Sequence, residues 1–258
     1  MVRPCTNDYF KLKTHTVVEY LRQKLSGNSE VNVNDCLSNN YFLARSKVTV
    51  DLFNDEVIEL QHSLTLIKGM AANNVDRYWR SVQEVAQQAP FRKMQTPGGQ
   101  MMSAEITNCG QVGWYSDRQG YRYTHLDPLT GQTWPTMPTC LKALAVDAAT
   151  KAGYPKFVPD VCLINRYSTD SKMGLHQDRD ERDFTQPIVS VSLGLSANFV
   201  FAGSQRNSPR QNILLEHGDV LVWGGQLRKH FHGISKVLPG DDPLTGPYRI
   251  NLTFRQAL

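Results

Sequence analysis

Apolar positions along the chain change their spacing once, near Pro159. Upstream, the period is helical. Val17, Val18, Leu21 and Leu25 share one face of a short predicted helix. A polar stretch from Ser26 to Asn40, rich in Asn and Ser, reads as loop. Val75, Tyr78, Trp79, Val82 and Val85 then recur at helical spacing, with Asn73 or Asn74 as the N-cap. Pro97-Gly98-Gly99 marks a turn. A second helix is predicted from about Leu141 to Ala152, entered through Pro138-Thr139 and closed by Gly153. Downstream of Pro159 the runs shorten and become β-rich: Val161–Tyr167, Ile188–Leu195, Phe199–Phe201, Ile213–Leu215, Val220–Trp223 and Tyr248–Arg255. Many short strands in one block favour a sandwich, barrel or jelly roll over a parallel sheet. The expected fold is mainly β with flanking helices, an α+β chain whose helices pack outside a double-stranded β-helix (jelly roll).

Composition narrows the class without choosing a partner. At 40% apolar and 20% charged residues the chain reads as an ordinary globular protein. Its apolar runs, such as Val220-Leu221-Val222-Trp223, fall far short of the roughly 20 residues that span a bilayer. Thr6-Asn7-Asp8 stands where a signal peptide would carry its apolar stretch, so a cytoplasmic protein without membrane contact is expected. The five cysteines, Cys5, Cys36, Cys109, Cys140 and Cys162, lack the close pairing of a zinc site and suggest reduced thiols. Residues 1–50 hold seven Lys/Arg and four Asp/Glu, a balance of +3, which leaves +1 of the total +4 for the rest. Any nucleic-acid binding by the main domain must therefore rest on a local patch.

Chemistry concentrates in the β block. His176-Gln177-Asp178 sets an imidazole and a carboxylate two residues apart, so an extended segment aims both the same way. His230-Phe231-His232 offers a second imidazole. Two histidines and one carboxylate on one face of a metal leave three positions open, the arrangement non-haem iron(II) uses. H-x-D alone arises often by chance, and a histidine in a β domain is more often structural. The last strand adds weight. In Arg249-Ile250-Asn251-Leu252-Thr253-Phe254-Arg255, polar and apolar residues alternate, so both arginines share a face. That face is either the wet side of an outer strand or the lining of the jelly roll. In the second case the guanidinium forks suit a dicarboxylate. Asn165 and Tyr167 share a face of their own strand and add hydrogen-bonding groups. Metal ligands plus a dicarboxylate clamp point to 2-oxoglutarate.

The residues Asn165-Arg166-Tyr167, His176-Gln177-Asp178-Arg179-Asp180-Glu181, Val189 through Leu195, His217-Gly218-Asp219-Val220, His232-Gly233 and Arg249 through Arg255 resemble the AlkB family of oxidative nucleic-acid demethylases. Thr96-Pro97-Gly98-Gly99, Asn108-Cys109-Gly110, Gly113-Trp114 and Arg118-Gln119-Gly120-Tyr121 extend the resemblance, which runs from about Asp51 to Leu258. It implies that His176, Asp178 and His232 hold Fe(II), with His230 a neighbour. Arg249 would pair with the distal carboxylate of 2-oxoglutarate and Arg255 would lie near the carboxylate beside the keto group. Asn165, Tyr167 and Asn251 would complete that cosubstrate site. Trp114, Tyr121 and Tyr123 would belong to a lid over the nucleotide, with Asp180 and Arg206 near the damaged base. The resemblance also implies the reaction: O₂-dependent decarboxylation of 2-oxoglutarate to succinate, hydroxylation of an N-methyl group on a base, and loss of formaldehyde.

The expected substrates are bases of the 1-methyladenine and 3-methylcytosine type in DNA, preferably single-stranded, with double-stranded DNA and RNA as alternatives. A monomer is expected. The stretch around Trp114 and Tyr121, flanked by Gly110, Gly113 and Gly120, reads as a mobile surface loop. Arg206 falls in a segment whose bland reading is a solvated loop, and Asp180-Glu181 in a charge run that is usually wet. Residues 1–50 have no counterpart in the family pattern. They are an accessory segment, or a start assigned too far upstream, with Val48 or Val50 as the alternative. The competing readings are the same iron chemistry on RNA, a protein or a small molecule, and a jelly-roll nucleic-acid-binding module without turnover.

Overall fold

The computed structural model describes residues 56–169 and 171–258, together with the backbone of Val48–Thr49. All of these belong to the compact unit Arg45–Leu258. The helix and polar stretch expected before residue 41 lie outside the described residues. In chain order the elements are β1 (Val48–Thr49), β2 (Glu56–Gln61), β3 (Leu64–Lys68), α1 (Val75–Gln88), β4 (Arg92–Gln95), β5 (Met101–Gly110), β6 (Gly113–Asp117), β7 (Gly120–Thr124), α2 (Thr139–Lys151), β8 (Val161–Tyr167), β9 (Met173–His176), β10 (Ile188–Gly194), β11 (Ala197–Phe201), β12 (Gln211–Leu215), β13 (Val220–Trp223), β14 (His232–Val237) and β15 (Arg249–Arg255).

Two sheets form the core of a double-stranded β-helix. The larger runs β1-β2-β3-β13-β10-β15-β8-β5-β4, the smaller β12-β11-β14-β9, and β6-β7 is a separate hairpin. The two sheets enclose Phe199, Phe201, Leu221, Trp223 and Ile234. On its other face the large sheet carries both helices, and Ile250, Leu252 and Phe254 pack there against Val82, Val85, Leu141 and Ala145. Each of these side chains except the small Ala145 contributes roughly 1.5–3 kcal/mol by leaving water.

β15 is buried along its whole length. With its apolar residues on the helices, strand alternation sends Arg249, Asn251, Thr253 and Arg255 into the sandwich. Antiparallel pairing sets Asn251 opposite Asn165 and Ser192, and Arg249 opposite Tyr167. The wet-face alternative for this strand is therefore excluded. Among the described residues, no helix is long and apolar enough to cross a membrane.

Where sequence and structure differ, tertiary contact decides. β structure does not begin at Pro159, since β2 through β7 precede it. β5, with Met, Ser, Ala, Glu and Asn, has little strand propensity of its own. It is extended because it pairs with β8 from Glu105↔Arg166 to Gly110↔Val161. Helix α2 starts at Thr139 and ends at Lys151, and Gly153 follows with φ +90° as its terminator. The thiols of Cys109, Cys140 and Cys162 are free.

Gly194 turns the end of β10 with φ +81°, and a Cβ there would collide with Thr245 Oγ1 and the Tyr248 carbonyl. Gly194→Ala should lower unfolding free energy by roughly 2–4 kcal/mol through strain and overpacking together. Gly131→Ala, at φ +68° with open space around it, should cost about 1 kcal/mol for backbone strain alone. Urea denaturation of both variants checks the difference.

Candidate active site

The smaller sheet brings the two histidines together. His176 ends β9, His232 opens β14, and the two are paired across the strands. Their ring centroids lie 4.4 Å apart. Asp178, two residues past the strand end, faces both: His176 Nε2 is 3.7 Å from Oδ1 and His232 Nε2 is 3.6 Å from Oδ2. One ligand atom from each residue fits within a sphere of mutual distances up to 4.8 Å. The other ring nitrogens are occupied, His176 Nδ1 by the Gly174 carbonyl at 3.0 Å and His232 Nδ1 by the His230 carbonyl at 3.1 Å. Such outer bonds fix a ring's tautomer and aim its free nitrogen at a metal.

Electrostatics favours the deprotonated donors that a metal requires. Desolvation, then the neighbouring His232, pushes His176 down to about 4. Burial opposes ionisation of Asp178, but Arg255 and the two histidines hold it well below the usual carboxylate range. His230 takes no part in this cluster. Its ring lies 5.7 Å from Phe201, and its contribution is the carbonyl that orients His232.

The two arginines of β15 behave differently. Arg255 is matched: Nη2 donates to Asp178 Oδ2 at 2.8 Å and Nη1 to the Tyr123 hydroxyl at 3.1 Å. Arg249 is not. It is 1% exposed, donates from Nη2 to Ser192 Oγ at 3.0 Å, and leaves Nε and Nη1 buried without a partner. Burial draws it down to about 10, which still leaves it cationic at neutral pH. Asn165 Oδ1 is likewise unpartnered, whereas Asn251 is oriented by Ser190 Oγ and the Val191 carbonyl. A buried cation with two idle donors costs free energy unless an anion completes it. A carboxylate, with two acceptor oxygens and a full negative charge, would supply acceptors that this guanidinium lacks. Histidines, carboxylate, both arginines, Asn165, Tyr167 and Asn251 all line one cavity of about 530 Å³.

Residues 63–255 match the family described as the 2OG-Fe(II) oxygenase superfamily. The alpha-ketoglutarate-dependent dioxygenase AlkB of Escherichia coli (strain K12) is 53% identical over 192 residues, covering 74% of this chain and 89% of that protein. The solved structure of OsALKBH1 superposes with a TM-score of 0.69 at 28% identity, covering 78% of this chain and 99% of that one. The DNA N(6)-methyladenine demethylase ALKBH1C of Arabidopsis thaliana is 34% identical over 166 residues, covering 54% of this chain and 36% of that protein. The chain is an AlkB-family 2OG-Fe(II) oxygenase. Its reaction uses Fe(II), 2-oxoglutarate and O₂, and the donor set and idle arginine described above suit the first two.

The outer wall of the oxygenase cavity is the β6-β7 hairpin, two paired strands where the glycines suggest a surface loop. Ser116↔Tyr121 and Asp117↔Gly120 pair across it, and Arg122 grips Asp117 through two bonds of 2.8 Å. Buried Asn108 bonds both the amide and the carbonyl of Trp114 at 3.0 Å. Gly113 sits against the Trp134 ring, where a Cβ could not fit. Trp114 stacks on Tyr121 at 5.5 Å and donates from Nε1 to Asp180 Oδ2 at 2.9 Å. All three line the cavity, and Tyr121 remains 49% exposed at its mouth.

Tyr123 and Arg206 are placed elsewhere. The Tyr123 hydroxyl turns inward, donating to Glu181 Oε1 at 2.7 Å and accepting from Arg255. Arg206 lies over the Phe231 ring at 5.2 Å, away from the cavity lining. Glu181, expected in a wet charge run, is only 5% exposed beneath the site. Trp223, which carries no motif of its own, also lines the cavity 5.0 Å from His232, with Nε1 buried and unpartnered. Its signal was available, since alternation along Val220-Leu221-Val222-Trp223 puts Trp223 on the same side as Leu221.

If the histidine-aspartate cluster holds the metal, His176→Ala should weaken binding of Co(II), an oxygen-inert stand-in, by more than the roughly 10–100-fold that loss of an outer partner costs. The melting temperature should stay within a few degrees of the parent's. Calorimetric titration measures the first, and unchanged affinity would remove His176 from the ligand set.

Proposed function

We propose that this dioxygenase demethylates N-alkylated bases of the 1-methyladenine and 3-methylcytosine type, preferably in single-stranded DNA. The observation that carries the reading is one cavity with three unlike walls. One wall is the histidine-aspartate cluster, one is the incompletely bonded guanidinium of Arg249, and one is an aromatic stack beside the Asp180 carboxylate.

His176, Asp178 and His232 would hold Fe(II). Arg249, with Asn165 beside it, would receive the distal carboxylate of 2-oxoglutarate. Arg255, Tyr167 and Asn251 would border the rest of the cosubstrate. When bound, iron with 2-oxoglutarate and O₂ supplies the oxidation that yields succinate and CO₂ and converts an N-methyl group to N-hydroxymethyl, which then loses formaldehyde.

The protein's own part is to hold the methyl near the cluster and exclude water and other groups. Trp114 and Tyr121 offer flat faces on which an extruded base stacks, an interaction worth roughly 1–3 kcal/mol. Asp180 adds selectivity. Methylation of a ring nitrogen on the Watson–Crick edge leaves the base cationic, and a carboxylate at the wall favours it over the neutral base. The same methyl group blocks pairing, so extrusion costs less than for an intact base, and least in a single strand. Recognition of this local kind suits a main domain with almost no net charge. A monomer and a cytosolic location belong to the same reading. Tyr123 and Arg206 have no direct part in it, Tyr123 acting through Arg255 and Arg206 lying off the cavity.

Mass spectrometry of oligonucleotides carrying either lesion, incubated with iron(II), ascorbate and O₂, tests the reading. Loss of one methylene unit only when 2-oxoglutarate is present is the expected result. Succinate without a mass change would keep the dioxygenase and discard the substrate, and faster turnover of matched RNA would replace DNA. Trp114→Ala should raise KM for the oligonucleotide about 5–150-fold, the equivalent of the lost stacking, with KM for 2-oxoglutarate unchanged. Steady-state assays on both substrates separate the two.

A further inference from the structure

Beneath the cavity, Arg228, Glu181 and Arg255 link the main-chain carbonyl of Asp178 to its own carboxylate in a closed ring. Arg228 is 2% exposed. Its Nε donates to the Gln186 carbonyl at 3.1 Å, its Nη1 donates to the Asp178 carbonyl at 3.3 Å, and its Nη2 stands 3.1 Å from Glu181 Oε2. Glu181 Oε1 stands 3.4 Å from Arg255 Nε, and Arg255 Nη2 returns to Asp178 Oδ2 at 2.8 Å. The two Glu181 contacts are at ion-pair distance without hydrogen-bond alignment, so charge attraction holds them. All four residues are buried.

A ring of this kind is a poor way to gain stability. Removing charges from water costs several kcal/mol per ion, and apolar replacements of similar volume often stabilise a fold more. Its position suggests another use. Asp178 lies in the irregular stretch after β9, where no strand ladder fixes the backbone. The Arg228 bond to its carbonyl replaces that ladder. At the carboxylate end, Glu181 shares the charge of Arg255, so Arg255 is not committed to Asp178 alone.

We propose that Arg228 and Glu181 are positioning residues that set the place of Asp178 and the strength of Arg255's hold on it, and thereby the metal affinity of the His176, Asp178 and His232 cluster. The inference rests on that cluster being the iron site. Positioning and simple electrostatics predict different outcomes. If only the local field mattered, Glu181→Gln would leave an extra cation and weaken metal binding, while Arg228→Met would leave an extra anion and strengthen it. Positioning requires both to weaken it.

The test is calorimetric titration of the full chain with Co(II), together with melting temperatures, for E181Q, R228M and the E181Q/R228M double variant. Each single variant should bind Co(II) about 10–100-fold more weakly, the usual cost of losing an outer partner. The double variant removes both members of one buried pair and leaves Asp178 and Arg255 balanced, so its melting temperature should recover toward the parent's. Its Co(II) affinity should stay low. Opposite shifts in the two singles, unchanged affinity, or recovery of affinity together with melting temperature would each overturn the proposal. If the singles do not fold, the double variant decides alone: parental Co(II) affinity overturns the inference and weak binding supports it. A His176→Ala control that binds Co(II) like the parent would instead remove the iron-site reading on which this rests.

Discussion

The structure is organised around a buried guanidinium whose hydrogen bonds the protein does not complete. Arg249 lies on a strand buried along its whole length and lines the cavity, with two buried donor nitrogens that no protein group accepts from. Such a group is tolerable only if the surrounding fold is stable without it and a ligand supplies the missing acceptors. The first condition explains the two helices. They cover the back of β15 and let its apolar residues pack while its polar row points inward. The second explains the neighbours of Arg249 inside the sandwich. Ser192 occupies Nη2, Tyr167 lies beneath the guanidinium at 5.4 Å, and Asn165 leaves its own oxygen idle. A jelly roll provides this because its two sheets face each other across a gap that side chains need not fill completely.

Much of this was legible because strand alternation is a local rule. The seven residues of β15 carry their own partition into polar and apolar faces, and the ends of β8 and β13 are where the apolar runs place them. H-x-D is equally local: two side chains on one extended segment point together whatever the rest of the chain does. What alternation could not say is which face was inside. That depended on α1 and α2 covering the other one. The resemblance of motifs supplied it, where composition and spacing left both readings open.

The parts that were not legible share a different cause. β5 is a strand because β8 offers it an edge. The β6-β7 hairpin is docked where Asn108 bonds the Trp114 backbone and Trp134 fills the space beside Gly113. β8 and Trp134 are distant in sequence from the segments they organise, and Asn108, though close, reads as one more polar loop residue until its two bonds to the Trp114 backbone are seen. Glu181 is the clearest case. In Asp178-Arg179-Asp180-Glu181-Arg182-Asp183 the alternating charges read as a wet loop, but Arg228, which is distant in sequence, and Arg255 draw Glu181 under the site. A charge run reveals its burial only when its partners are known.

One consequence concerns how the three walls of the cavity communicate. Tyr123 belongs to the lid hairpin, and its hydroxyl touches both Glu181 and Arg255. Arg255 in turn holds Asp178, which faces both histidines. The β6-β7 hairpin and the histidine-aspartate cluster are thus joined through Tyr123, Glu181 and Arg255. Burial of that phenol raises its pKa, so it stays protonated and can donate to Glu181 while accepting from Arg255. An apolar residue at position 123 would fill the same volume but leave the Arg255 Nη1 and Glu181 Oε1 contacts unmade inside a low-dielectric site, where unpaired charge is most costly. The inward turn of Tyr123 is thus a buried link between the hairpin and the residues below it, beside the more exposed bond from Trp114 to Asp180.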